Sequence, residues 1–286
     1  MRRRHVSSAA GFALAAALAT LFSTAGVEGQ SWRTVTQSRQ VSNERSLDVN
    51  VSYAVGQFRV RPAASGVLYR LELRYDEDTF EPVNDYRKGR LRVGIDGGDG
   101  KIRVGKGDSA GNLDLDLAVD VPMDLNLEFG AVKADLDLGG LALTDLHMVT
   151  GASETFLDVS RPNPVSLGTA KIAVGAAQFH ARSLGNLNAE RIDVDAGVGD
   201  ITLDFTGDWQ RDAEVNVDLG VGALELRVPE GLGLRLKKDS FLTTLDPQGL
   251  VKRGDYYYST DWDEADRQVD IDVDAALAKV SVVWVR

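Results

Sequence analysis

From Val215 to Leu226 the chain reads VNVDLGVGALEL, and the spacing in this stretch decides the fold. Val215, Val217 and Leu219 alternate with polar residues up to Gly220, so they share one face of an extended strand. Past the glycine the apolar positions are Leu224 and Leu226, at even rather than odd distances from it. A straight strand has a strict period of two and cannot point both sets inward. The chain must therefore bulge or turn a corner at Gly220, where a small residue relieves strain.

Working outward, the same unit recurs. Gly130 has Leu125, Leu127 and Phe129 before it, then Ala134 and Leu136. Gly151 lies between Leu146, Met148 and Thr155, Leu157; Gly175 between Ile172, Val174 and Phe179, Ala181; Gly197 between Ile192, Val194 and Ile201, Leu203. Alanine takes the anchor at both ends: Ala54, with Val49, Val51 and Tyr53 before it and Phe58 and Val60 after, and Ala276, with Ile271 and Val273 before it and Val280 and Val282 after. Successive glycine anchors lie about 22 residues apart, the step of a repeat that bends once per unit and buries its face on the next. The expected fold is all-β, a solenoid-like ladder of single-stranded coils. The alternative is a β-sandwich whose Gly-rich hairpins are evenly spaced.

Composition agrees with a sizeable core and narrows the function. The 286 residues carry 32 Lys+Arg against 43 Asp+Glu, a formal −11, with 43% hydrophobic residues and no cysteine. Without cysteine there is no disulfide, thiolate nucleophile, Cys-ligated metal or lipidated cysteine. An acidic chain has no cationic surplus for displacing phosphate counterions, so nucleic acid is not an expected partner. Residues 1–29 read as a signal peptide: Arg2, Arg3 and Arg4, an apolar run from Ala9 to Phe22, then small residues, with cleavage after Ala25 or Gly29. An uncleaved anchor is the alternative. Cleavage after Gly29 would take the net charge to about −13. The expected chain is exported, to the periplasm, the cell envelope or the medium. A polar lead-in (30–45), an N-terminal section (46–112) and the repeats (113–286) follow, with a capping excursion at 229–268.

The segments SYAVGQFRVRPAASGVLYRLELRYDEDTFEPVNDY, GGLALTDLHMVTGASETFLDV, VNVDLGVGALELRVPEGLGLRL and VDIDVDAALAKVSVVWV resemble the bacterial toast-rack proteins. That family is similar to the C-terminal domain of LiaF-type envelope-stress proteins and to exported adhesin-type β-solenoid modules. The resemblance covers most of residues 46–285. It implies a ladder-like right-handed β-helix outside the cytoplasm, with no established enzymatic activity. Two features depart from the family pattern: Ala275-Ala276 stands where glycine is usual, and no membrane helices of the LiaF kind are present.

Chemistry-bearing motifs are few. His147 and His180 fall inside repeat strands, and His5 lies in the signal segment. No second base or nucleophile elbow accompanies them, so they read as structural. Gly197-Val198-Gly199 and Gly220-Val221-Gly222 mimic part of a dinucleotide fingerprint but precede no helix. Gly97-Gly98-Asp99-Gly100 is one broken copy of a calcium β-roll turn and reads as loop. Outward Asp114, Asp116, Asp193, Asp195, Asp270 and Asp272 read as solubilising rows, or as a loose attraction for cations. The strongest ligand surface is YYYSTDWDEAD: Tyr256, Tyr257, Tyr258 and Trp262 with Asp261 and Asp263. Aromatic rings stack on sugars, and Asp261, Asp263 and Glu264 offer the paired acids of a glycosidase. Against that, such rings cover the end of a core while the acids keep the cap soluble. The expected function is non-enzymatic, a structural or interaction module without cofactor or metal, whose partner is an envelope protein or a glycan. The alternatives are an envelope-stress signalling partner and a carbohydrate-binding or carbohydrate-active protein.

Overall fold

A computed structural model describes residues 31–97, 111–240, 244–246 and 249–286. The signal-like segment and most of the glycine-rich stretch after Gly97 lie outside the described residues. The strands in order are β1 (Trp32–Gln40), β2 (Leu47–Pro62), β3 (Val67–Asp76), β4 (Phe80–Arg87), β5 (Arg90–Gly97) and β6 (Asn112–Leu117). Next come β7 (Met123–Asp137), β8 (Leu143–Thr150), β9 (Glu154–Asp158), β10 (Leu167–Arg182), β11 (Ala189–Asp204) and β12 (Ala213–Pro229). The last are β13 (Leu232–Ser240), β14 (Thr244–Asp246), β15 (Leu250–Arg253), β16 (Tyr256–Ser259) and β17 (Arg267–Val285). The fold is all-β. Among the described residues no helix is long and apolar enough to cross a membrane.

Parallel pairing stacks the repeats as rungs: β2, β7, the pair β8 and β9, β10, β11, β12 and β17. The residue before each anchor stands opposite its counterpart on the next rung. Tyr53 faces Phe129, then Thr150, Val174, Ala196, Leu219 and Ala275 in turn. Hairpins of a sandwich would pair antiparallel; this in-register parallel stack is the solenoid-like ladder. Each rung has two arms, and burial changes parity between them, as in Val215, Val217 and Leu219 against Leu224 and Leu226.

Both arms build continuous buried columns, apolar except for one threonine. In the first arm, Val49, Leu125, Leu146, Ala170, Ile192, Val215 and Ile271 follow one another by register, and all are buried. Phe58, Ala134, Thr155, Phe179, Ile201, Leu224 and Val280 do the same in the second. The polar member, Thr155, bonds the buried Ser153 hydroxyl at 3.0 Å, so the column carries no unpaired hydroxyl there.

Glycine at the anchors answers to close approach. A Cβ on Gly197 would come within 2.9 Å of the Gly175 carbonyl oxygen, and one on Gly175 within 2.9 Å of that of Gly151. On Gly220 it would overlap the Gly197 carbonyl. The left-handed requirement sits two residues later, at Gly222, with φ +144°. The corner thus needs smallness at one position and backbone freedom at another.

Return turns between rungs are stitched by buried amides. Asn163 donates through Nδ2 to the Leu143 and Leu187 carbonyls at 2.9 and 3.0 Å, while its Oδ1 accepts from the Leu143 amide at 3.2 Å. Asn186 donates to the Val159 carbonyl at 2.7 Å and accepts from the Asp208 amide at 2.7 Å. Each side chain satisfies backbone groups of neighbouring coils that no strand ladder reaches.

The two ends are covered differently. Before the first rung, β5 and β6 pair parallel with the two arms of β2; β4 then lies antiparallel on β5, and β3 and β1 extend β6. Beyond the last rung, β13 and β14 pair parallel with β17, while β16 and β15 continue antiparallel from β13. These added strands occupy edges that would otherwise template aggregation.

Gly220→Ala should cost about 1–3 kcal/mol through overpacking against the Gly197 carbonyl. Gly168→Ala, where a Cβ meets nothing within 4 Å, should leave the urea midpoint unchanged. Equal midpoints for the two variants would contradict the close-approach explanation.

Candidate functional site

The aromatic segment forms the outer cap. Alternation along β16 puts Tyr256 and Tyr258 on one face and Tyr257 on the other. Tyr257 packs on the core edge with Lys252 5.5 Å over its ring. Trp262 lies in the turn after β16, edge-on to Tyr258 with ring centroids 5.5 Å apart. Gln268 holds that turn by donating to the Trp262 carbonyl at 2.9 Å, and the buried Ser259 hydroxyl accepts from the Leu234 amide at 2.9 Å.

Arg235, on β13, ties the cap to the last rung. Its guanidinium engages both oxygens of Asp270 and lies 5.2 Å from the Tyr256 ring and 5.8 Å from the Trp262 ring. The carboxylate raises the arginine pKa further above its already high ordinary value. Arg235, Asp270, Gln268 and Trp262 line one side of an open cleft of about 550 Å³. Arg191 and Glu214, an ion pair at the starts of two neighbouring rungs, line the other side.

Of the six residues singled out in the sequence, Trp262 alone lines this cleft. Of the acids beside it, Asp261 and Asp263 are engaged elsewhere. Asp263 pairs with Arg253 at 3.2 Å, and Asp261 accepts from the Gly231 amide at 3.2 Å. The backbone carbonyl of Asp261 also accepts from the Glu264 and Ala265 amides, which closes the turn. Sequence reasoning missed Arg235 and Gln268, because β13 reaches β17 only through a pairing about 35 residues long-range.

Outward acids divide into those that meet a cation or an amide and those that face one another. Arg59 and Arg61 engage Asp114, Arg61 lies 3.4 Å from Asp116, Asn216 donates to Asp193 at 2.7 Å, and Lys237 lies 3.5 Å from Asp272. At the next outward position Asp195, Asp218 and Asp274 stand in register on adjacent strands. Partial desolvation raises the Asp218 pKa above its ordinary value, a hydrogen bond with the Asp195 carboxyl raises it further, and the Asp195, Asp274 and Asp193 charges add to this. Asp218 and Asp274 were missed in the sequence, although both lie two residues before an anchor. This row borders a shallow groove of about 580 Å³ whose floor is Gly175, Gly197 and Gly220.

His147 and His180 lie on the outer faces of β8 and β10, and His180 stacks on Phe156 with centroids 5.2 Å apart. Both Gly-x-Gly motifs are corners within β11 and β12, and strand continues through them. The calcium-type turn after Gly97 falls outside the described residues.

With this geometry in place, comparison with known proteins assigns the family. The family described as "N-terminal domain of toast_rack, DUF2154" matches residues 27–181 and 164–227. The chain belongs to the toast-rack family. No curated protein matches this toast-rack chain in sequence. Among solved structures it is similar to a "putative cell adhesion protein" of Clostridium sporogenes, at 15% identity and TM-score 0.45, over 89% of this chain and 100% of the other. A "putative adhesin" of Bacteroides fragilis is similar at 14% identity and TM-score 0.31, over 87% and 97%. A "Putative lipid binding protein" of Parabacteroides distasonis is similar at 9% identity and TM-score 0.26, over 88% and 97%.

In this toast-rack protein the Asp218 shift has a definite sign. An acid whose folded pKa is raised destabilises the native state while ionised, and the penalty vanishes as pH falls through that raised value. Asp218→Asn should therefore raise the thermal midpoint at pH 7, and the gain should shrink towards zero on acidification to pH 3. A loss of stability at pH 7 would contradict the carboxylate crowding.

Proposed function

We propose that this toast-rack protein is an exported, non-enzymatic interaction module of the bacterial envelope, and that the Trp262 cleft holds a glycan. The observation that carries this reading is the Trp262 ring set beside Arg235, Asp270 and Gln268 in an open cleft. An aromatic plane takes the C–H face of a sugar ring, while guanidinium, carboxylate and amide groups at its border exchange hydrogen bonds with hydroxyls. Gln268 and Asp270 sit on the last rung and Arg235 on the strand paired with it, so the ladder keeps these three groups at fixed spacing.

A binding role is favoured over catalysis by the state of the acids. Hydrolysis needs two carboxyl groups facing one glycosidic bond, one of them protonated. Asp263 is held by Arg253, Asp261 by the Gly231 amide and Asp270 by Arg235. Export is supported by the basic and apolar start of the chain.

Retention on immobilised envelope polysaccharides and peptidoglycan fragments tests the proposal. We expect a soluble glycan from this panel to bind, with Trp262→Ala weakening it by about 3–10-fold and Asp263→Asn leaving it unchanged. No retention on any fraction, or retention indifferent to Trp262→Ala, would overturn it. So would turnover of a chromogenic glycoside lost in Asp263→Asn.

A further inference from the structure

The geometry points to a second binding surface, independent of the glycan cleft: the groove along the corner column, shaped and charged to receive a basic amphipathic α-helix of a partner protein. Its floor is Gly175, Gly197 and Gly220, so a docking element can approach the backbone closely. One wall is the register row Asp195, Asp218 and Asp274. Across the corner, Val198, Val221 and Leu277 stand in register, and they are 52%, 43% and 52% exposed. The same three rungs thus present a carboxylate on one side of the corner and a large aliphatic side chain on the other.

Each half of this surface is costly without a partner. The aliphatic row leaves three sizeable apolar side chains in water on successive rungs, a continuous patch rather than scattered residues. The acidic row sets carboxyl groups of adjacent strands against one another, with Asp218 and Asp195 in hydrogen-bond contact, and among the described residues no Lys or Arg side chain pairs with Asp195, Asp218 or Asp274. Asp193 and Asp272, on the neighbouring outward row, are by contrast matched by Asn216 and Lys237. A segment with cations on one flank and aliphatics on the other relieves both costs together.

Spacing selects a helix. Rungs repeat at about 4.8 Å, so the three carboxylates span about 10 Å. Helical residues i, i+3 and i+7 lie at about 0, 4.5 and 10.5 Å along the axis and share one face. An extended strand presents same-face residues every 6.6–6.8 Å or so, and loses register by about 2 Å per rung. A second copy of this chain would set the acidic row against an acidic protein. Beyond the carboxylates the groove continues past Ala173 and Val149, which suits an apolar end to the docked helix.

The probe is a fluorescein-labelled 18-residue helix with Lys at i, i+3 and i+7 beside a Leu stripe, titrated with the signal-free protein and read by fluorescence anisotropy. Its controls are the same helix with Glu for Lys and a scrambled peptide of identical composition. We expect the Lys helix alone to bind. Affinity should fall about tenfold or more in the triple variant Asp195→Asn, Asp218→Asn, Asp274→Asn, as expected from three surface charge pairs. It should also fall in Leu277→Ser and with rising salt, and stay unchanged in Trp262→Ala. No binding, equal binding of the scrambled peptide, or indifference to the triple variant would overturn the proposal. Self-association in sedimentation that disappears in Leu277→Asp would overturn it too, by assigning the groove to a second copy.

Discussion

Everything in this molecule depends on how closely consecutive backbones approach at the corner. The Gly175, Gly197 and Gly220 rungs each pass over the carbonyl of the rung before, with no room for a Cβ between them. That contact lets each strand bend once and change the parity of its inward face while the hydrogen-bond ladder stays in register. The two apolar columns follow from it, because every side chain finds its counterpart one rung away. The smooth outward rows follow as well, since what is periodic inside is periodic outside.

The same stacking decides what the surface presents. Parallel in-register stacking multiplies a single side-chain choice into a row, which suits an extended partner. Catalysis asks for unlike groups converging on one point. Convergence here occurs chiefly at the cap, where β13 and β16 leave the ladder and bring Arg235, Trp262 and Gln268 beside Asp270. Even there Asp270 and Asp263 are paired with arginines, and Asp261 is bound by a backbone amide.

Corners and core columns were legible in the sequence because both are strict geometric demands on residue size and period. A glycine flanked by odd-spaced and then even-spaced apolar residues has few readings other than a bent rung. Other features were hidden for physical reasons. Asn163 and Asn186 sit in return turns, and their partners are carbonyls some 20–27 residues away, with no periodic signature. The cap residues Tyr256, Tyr258 and Trp262 stood out by composition, but their partner Arg235 meets Asp270 only through long-range pairing. Asp218 and Asp274 were readable in principle, by aligning repeats on their anchors. The charge rows instead drew attention to Asp193, Asp195, Asp270 and Asp272, most of which prove to be paired.

Because the chain contains no cysteine, the register of the corner can be tested with introduced thiols alone. Val198, Val221 and Leu277 are exposed and lie on three consecutive rungs. Neighbouring rungs at about 4.8 Å fall within the Cα separation a disulfide spans, and two rungs at about 10 Å exceed it. Under mild oxidation, Val198→Cys with Val221→Cys should crosslink within one chain, as should Val221→Cys with Leu277→Cys. Val198→Cys with Leu277→Cys should stay reduced. Crosslinking of that last pair, or none in the first two, would contradict the stacked ladder on which the rest of the account stands.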